Sequence, residues 1–184
     1  TTQDWTHLID TINKQLVPKG FRPSMCVFDN ELLAATHAHL LNQHTTVQLI
    51  PPHNHRANKA ERAIQTFKAH FIAGLHSTHP QFPISFWSAL IPQAFVTLNL
   101  LRSSHKFPQL SALQHYMGPY EYNQTPIFPP GSKVLFHLKP SQRHTWDSHA
   151  RAGWYVGPAL AHYRCARVLF PSTKRIIITD AFCF

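Results

Sequence analysis

Acids are scarce in this 184-residue chain: eight Asp and Glu stand against seventeen Lys and Arg, for a formal net charge of +9. Charged residues of both signs reach only 14%, so the positive balance comes from removing acids rather than from lysine-rich tails. The default partner of such a surface is a polyanion; a merely basic globular protein is the plainer alternative. Cysteine is scarce too. Cys26, Cys165 and Cys183 are too few and too scattered for a disulfide framework or a Cys-x-x-Cys zinc site. That fits a reducing interior, nuclear or cytoplasmic. No apolar run of about 18 residues is found, so no membrane span or membrane partner is expected. No signal-peptide pattern precedes the first amphipathic stretch, and no internal repeat or low-complexity tract is visible. The length allows one large domain or two small ones with a real core.

The apolar pattern divides the chain. Trp5, Leu8, Ile9, Ile12 and Leu16 predict an amphipathic helix ended by Pro18 and Gly20. The run 24–28 (SMCVF) reads as a buried strand ending at Asp29, and 47–50 as another, stopped by Pro51 and Pro52. Between them a helix is expected from about Glu31 to Gln43, with Leu32, Leu33, Leu40 and Leu41 inward. From Asn58 onward Ala60, Ile64, Phe67, Phe71 and Leu75 mark one face of a helix. A long apolar helix follows from about Ile84 to Leu101, kinked at Pro92, with Phe86, Trp87, Phe95 and Leu98 read as core. This alternation predicts an α/β layer with a parallel sheet, whose ligands gather at the carboxyl ends of the strands.

Composition changes after Gly118. Residues 119–131 are rich in Pro, Tyr and Asn and read as a linker. Four short β patterns follow, over 132–139, 153–159, 163–170 and 175–184, and suggest a small β-barrel. Residues 119–184 carry eight Lys or Arg against three acids, so this part is itself basic. Trp146, Trp154 and Tyr155 could stack on bases or fill the barrel. Arg143, Arg151, Arg164 and Arg167 are candidates for phosphate contact.

Three of the eight acids, Asp29, Glu31 and Glu61, fall inside one short window. Asp29 is expected at a strand end, and Glu61 at the margin of the apolar face of the helix that follows Asn58. Hard divalent cations take oxygen ligands, and Mg²⁺ is typically held by one or two carboxylates with water and phosphate. Around Glu61 stand His53, Asn54, His55, Arg56, Asn58, Lys59, Arg62 and Lys68, suited to holding a nucleic-acid backbone. The fifteen histidines, including HAH (37–39) and HNH (53–55), lack partners at zinc spacing and read as surface or phosphate-contacting.

The series VFDNE (27–31), LIPPHNHRANKAERAIQTFKAHFIAGL (49–75) and TLNLLR (97–102), with the tail from PPGSKVLF to AHYRC, resembles the integrase region of retrotransposon polyproteins. The resemblance implies an RNase H-like fold, an Asp, Asp, Glu triad binding Mg²⁺ or Mn²⁺, and DNA strand transfer between element ends and target. It also implies a homo-oligomer in the intact protein. Asp29 matches the second aspartate of the triad and Glu61 the glutamate. Two features depart from the pattern: Glu31 stands where Gly is usual after Asp-Asn, and the 31 residues between Asp29 and Glu61 fall short of the usual spacing. The family's first aspartate belongs to a β-hairpin upstream of the first helix, where this sequence has only residues 1–4. The expectation is therefore a partial integrase core over 1–118, a linker over 119–131 and a basic barrel over 132–184. Such a chain would be inactive by itself, because triad members act as a unit, and Mg²⁺ or Mn²⁺ is expected only with the missing aspartate supplied. Glu31 either substitutes for a metal ligand or serves a helix N-terminus. The alternative function is a non-catalytic DNA- or RNA-binding remnant of a decayed element.

Overall fold

The computed structural model describes residues 2–28, 32–51, 59–138, 141 and 143–184. Two compact units divide it, Thr1–Thr66 and Phe67–Phe184. The whole is mixed α/β, with a two-stranded parallel sheet in the first unit and a five-stranded antiparallel sheet in the second.

In the first unit, α1 (Thr2–Leu16) passes through a 3-10 turn, Val17–Lys19, to Gly20. Gly20 has φ +80°, a left-handed conformation that stops the helix as its sequence predicts. Strand β1 (Met25–Phe28), helix α2 (Ala34–Asn42) and strand β2 (Thr46–Leu49) then form a βαβ unit. The strands pair in parallel from Met25↔Thr46 to Phe28↔Leu49. Leu40 of α2 is the unit's most deeply buried apolar side chain among the described residues. Two expectations are corrected here. Helix α2 begins at Ala34, with Leu33 in extended conformation at its cap, so the helix does not reach back to position 31. Leu33 and Leu41 are about half exposed rather than inward, because α2 turns only its Thr36–Leu40 stripe into the core. Helix α3 (Lys59–His76) runs through the division between units.

In the second unit, a 3-10 segment (Ile84–Leu90) leads into α4 (Ile91–Leu101), with Pro92 in the first turn of α4, where its missing N–H costs nothing. Helix α5 (Ala112–Met117) follows. Its start is a capping box: Gln114 N–H donates to Ser111 Oγ and Ser111 N–H donates to Gln114 Oε1, both at 3.1 Å. Strands β3 (Lys133–His137), β4 (Ala150–Pro158), β5 (Ala166–Phe170), β6 (Arg175–Thr179) and β7 (Phe182–Cys183) assemble in the order β6-β5-β4-β3-β7.

Strand β4 is central and buried on both faces, which is why GWYVGPA reads as a nearly continuous apolar run. Trp154 and Val156 face one core with Phe82, Leu90 and Leu169. Tyr155 faces the other with Val134, Phe136, Ala166 and Val168. The expected closed barrel is not what forms. The sheet is open, with β6 and β7 as edges among the described residues, because Phe82, just ahead of the 3-10 segment, and Leu90 at its end cover the first face. Segment 119–131 packs into the same unit: Gln93 Nε2 donates to Phe128 O at 2.6 Å, and Phe128 N–H donates to the Tyr155 hydroxyl at 3.4 Å.

Two further readings change. Trp87 and Phe95 are about half exposed, while Leu98 is buried and Phe86 is a partly buried neighbour of the Phe82, Leu90 and Trp154 core. Ile84–Leu101 is, by length and composition, apolar enough to cross a membrane, with 22% of it buried. Ser88, Gln93, Thr97 and Asn99 interrupt that stretch without lowering its average hydropathy enough to exclude it.

Candidate metal and nucleic-acid site

The βαβ unit fixes where two chain segments emerge. Because β1 and β2 are parallel and in register, the chain leaves Phe28 and Leu49 at the same end of the sheet. The pairing is closed at both ends by backbone bonds: Thr46 N–H to Ser24 O and Ile50 N–H to Phe28 O, each 2.9 Å. Asp29 is the next residue after β1 and lies outside the described residues, as do Glu31, His53, Asn54, His55, Arg56 and Asn58.

Glu61 is the third residue of α3 and is half-buried. An acid in the first turn is stabilised by the helix dipole and the unbonded N–H groups, so its position is electrostatically favourable whatever else it binds. Lys59 and Arg62 beside it, and Lys68 further along α3, are exposed. Among the described residues no group of three or more His, Cys, Asp or Glu side chains has the arrangement of a metal cage.

A polar cluster that the sequence did not announce ties α1 to α2. Asp10 Oδ1 lies 2.9 Å from His39 Nε2 and accepts from Gln43 Nε2 at 2.6 Å, while Asn13 Nδ2 donates to Gln43 Oε1 at 2.8 Å. The hydrogen bond from His39, and then that from Gln43, holds the Asp10 carboxyl below its usual range. Asp10 had only a helical pattern to its name, and i-to-i+29 contacts carry no local signal.

The candidate phosphate contacts in the second unit do not form one patch. Arg151 is an exposed residue of β4 whose guanidinium lies 5.6 Å from the Phe170 ring centroid. It shares the face of Tyr155 by strand alternation. Arg167 alternates with Ala166 and Val168 and so takes the opposite face, lining a groove with Pro92, Val96 and Ile178. Arg164 is exposed in a turn at φ +53°, and Arg143 is half-buried. Of the three aromatics, Trp154 and Tyr155 are core and Trp146 is 97% exposed. Burial also pushes the Tyr155 hydroxyl well above its ordinary pKa, so it stays a neutral core group.

No family model matches the sequence, and a search of curated proteins finds no match. Among solved structures, the chain is similar to one in a cryo-EM structure of a simian T-cell lymphotropic virus intasome in complex with PP2A regulatory subunit B56 gamma. The identity is 13% and the TM-score 0.45, over 99% of this chain and 63% of that one. The chain thus spans less than two thirds of that protein's length.

Proposed function

We propose that this chain is part of a retrotransposon-type integrase: a DNA-binding polypeptide supplying two carboxylates, Asp29 and Glu61, of a three-carboxylate RNase H-like site. The observation that supports this most is the in-register parallel pairing of β1 and β2. It sends residue 29 and the segment leading to Glu61 out of the same sheet end, where ligands of parallel sheets collect.

In this reading Asp29 and Glu61 would hold Mg²⁺ or Mn²⁺. Such a cation, when bound, lowers the pKa of an attacking 3′ hydroxyl and stabilises the leaving oxygen of the phosphodiester. Lys59 and Arg62, exposed at the start of α3, hold the DNA backbone beside the carboxylates. Glu61 presents its carboxylate from the first turn of α3. A third carboxylate would complete the set, and members of such a triad act as a unit.

The test is strand transfer by the chain extended with a hairpin that carries the third aspartate. Joining of oligonucleotide 3′ ends to a plasmid is expected to need Mg²⁺ or Mn²⁺ and to fall on the order of a thousandfold in Glu61→Gln. Undiminished joining in that variant would overturn the proposal. A second reading, a non-catalytic nucleic-acid binder, is favoured by the exposed cations Lys59, Arg62 and Lys68, which require no metal. It predicts salt-sensitive DNA binding that survives chelation and Glu61→Gln and weakens when Lys59 and Arg62 are neutralised.

A further inference from the structure

The second unit carries an open groove of about 720 Å³ between the turn that follows α3 and the start of β3. Ser77 and His79 line it from the turn, Ser132, Lys133 and Leu135 from the strand, together with Phe184. The walls are held close by Gly131. It has φ +68°, and a Cβ there would stand 2.7 Å from Thr78 Cγ2, so only glycine lets β3 begin against that turn. Two backbone bonds fix the strand side: Gly131 N–H to Tyr155 O at 2.9 Å and Tyr155 N–H to Ser132 O at 2.8 Å.

The polar groups of the groove have defined roles. Ser77 Oγ donates to Gly74 O and Ser132 Oγ donates to Pro129 O, each at 2.8 Å. Both hydroxyl protons are thus committed, and what the oxygens offer the groove is lone pairs. His79 Nδ1 accepts from Gln81 N–H at 3.1 Å, which places the proton of the neutral ring on Nε2 as a donor. Lys133 adds a mobile cation on an exposed strand position. Among the described residues no Asp or Glu lines the groove. Beside these groups Phe184 is 59% exposed and Leu135 is 47% exposed, an apolar surface that a purely ionic ligand would leave wet.

We propose that this groove binds a single-stranded segment of nucleic acid, with a base stacked on Phe184 and a neighbouring phosphate on Lys133. A cation, an exposed aromatic ring and acceptors for exocyclic amino groups are what an unpaired nucleotide requires. A duplex keeps its base faces covered and would use the lysine alone. The proposal rests on the nucleic-acid half of the reading above and not on its catalytic half.

Fluorescence anisotropy with a labelled oligodeoxycytidylate, whose bases carry exocyclic amino groups, and with a blunt duplex of equal length tests it, in EDTA. Phe184→Ala is expected to weaken single-strand binding about tenfold while duplex binding changes by less than about twofold, and Phe184→Trp to retain it. Lys133→Gln should lower the salt slope for the single strand by about 0.7. Because Phe184 packs on Phe128 at a centroid distance of 4.5 Å, the melting of Phe184→Ala is compared with wild type. Lys133→Gln, at an exposed position, keeps the test valid if that variant misfolds. Single-strand binding unchanged in Phe184→Trp, Phe184→Ala and Lys133→Gln alike, or displaced equally by polyglutamate, would overturn the groove and leave DNA binding elsewhere intact. Absence of binding to either DNA would overturn both.

Discussion

The two units use apolar residues in opposite ways. In the second, β4 alone feeds two cores, Trp154 and Val156 on one face and Tyr155 on the other. In the first, Trp5, Leu8 and Ile12 of α1 and Met25, Val27 and Leu49 of the strands are each about half exposed. Leu40 and Ile50 are its buried apolar residues among those described. Parallel strands are ordinarily covered on both faces, and a two-stranded sheet has little stability of its own. The candidate carboxylates thus belong to the unit with the thinner core, while the consolidated unit carries the groove. Local opening should be easier in the first unit than in the second.

That contrast can be broken most sharply by truncation. Phe136→Ala removes a ring that is 1% exposed from the second unit's core, and is expected to cost about 3–5 kcal/mol in urea unfolding. The matching truncation Ile12→Ala, at a half-exposed site in the first unit, should cost less than about 1 kcal/mol. Equal losses would erase the distinction. A smaller effect is expected from Gly153→Ala. A Cβ there would lie 2.5 Å from Val168 Cγ1 and 3.0 Å from Leu169 O, so overpacking should cost about 1–3 kcal/mol by the same measurement.

The smallest effect concerns pH and the first unit alone. The Asp10 carboxyl titrates below its usual range because of His39 and Gln43. A carboxyl lowered on folding contributes stability above its unfolded pKa and loses it as pH falls through the folded one. Amide exchange in α1 should therefore speed up as pH drops below about 4 more than the intrinsic chemistry requires. Asp10→Asn should abolish that pH dependence. An identical profile in the variant would show that the cluster does not hold α1 to α2.

Much of the architecture was legible because it is local. The β1 and β2 runs, the stop at Pro18 and Gly20 and the amphipathic α3 all follow from periodicity and breakers in the sequence. Helix α5 was legible too but unread: Ser111 and Gln114 stand at capping-box spacing ahead of a short apolar stretch. What could not be read is tertiary. Four β patterns with Gly and Pro between them fit a barrel and an open sheet equally well. Only the packing of Phe82 and Leu90 against Trp154 decides for the sheet. Strand alternation likewise separates Arg151 from Arg167, although both are cations in the same basic segment. For the candidate site, Asp29 and Glu61 come from the motif resemblance, and the parallel register of β1 and β2 shows only that the chain leaves Phe28 and Leu49 at one sheet end. The groove around Lys133 had no sequence signature, since its walls come from positions 77–79, 132–135 and 184.

The most direct test of the proposed cation site is a Mn²⁺ titration, followed by calorimetry, of the chain extended with the aspartate-bearing hairpin, with Asp29→Asn, Glu61→Gln and the double variant. If one ion bridges both carboxylates, each single change weakens Mn²⁺ binding by at least about tenfold and the double change adds little. Wild-type affinity in Glu61→Gln would contradict the account.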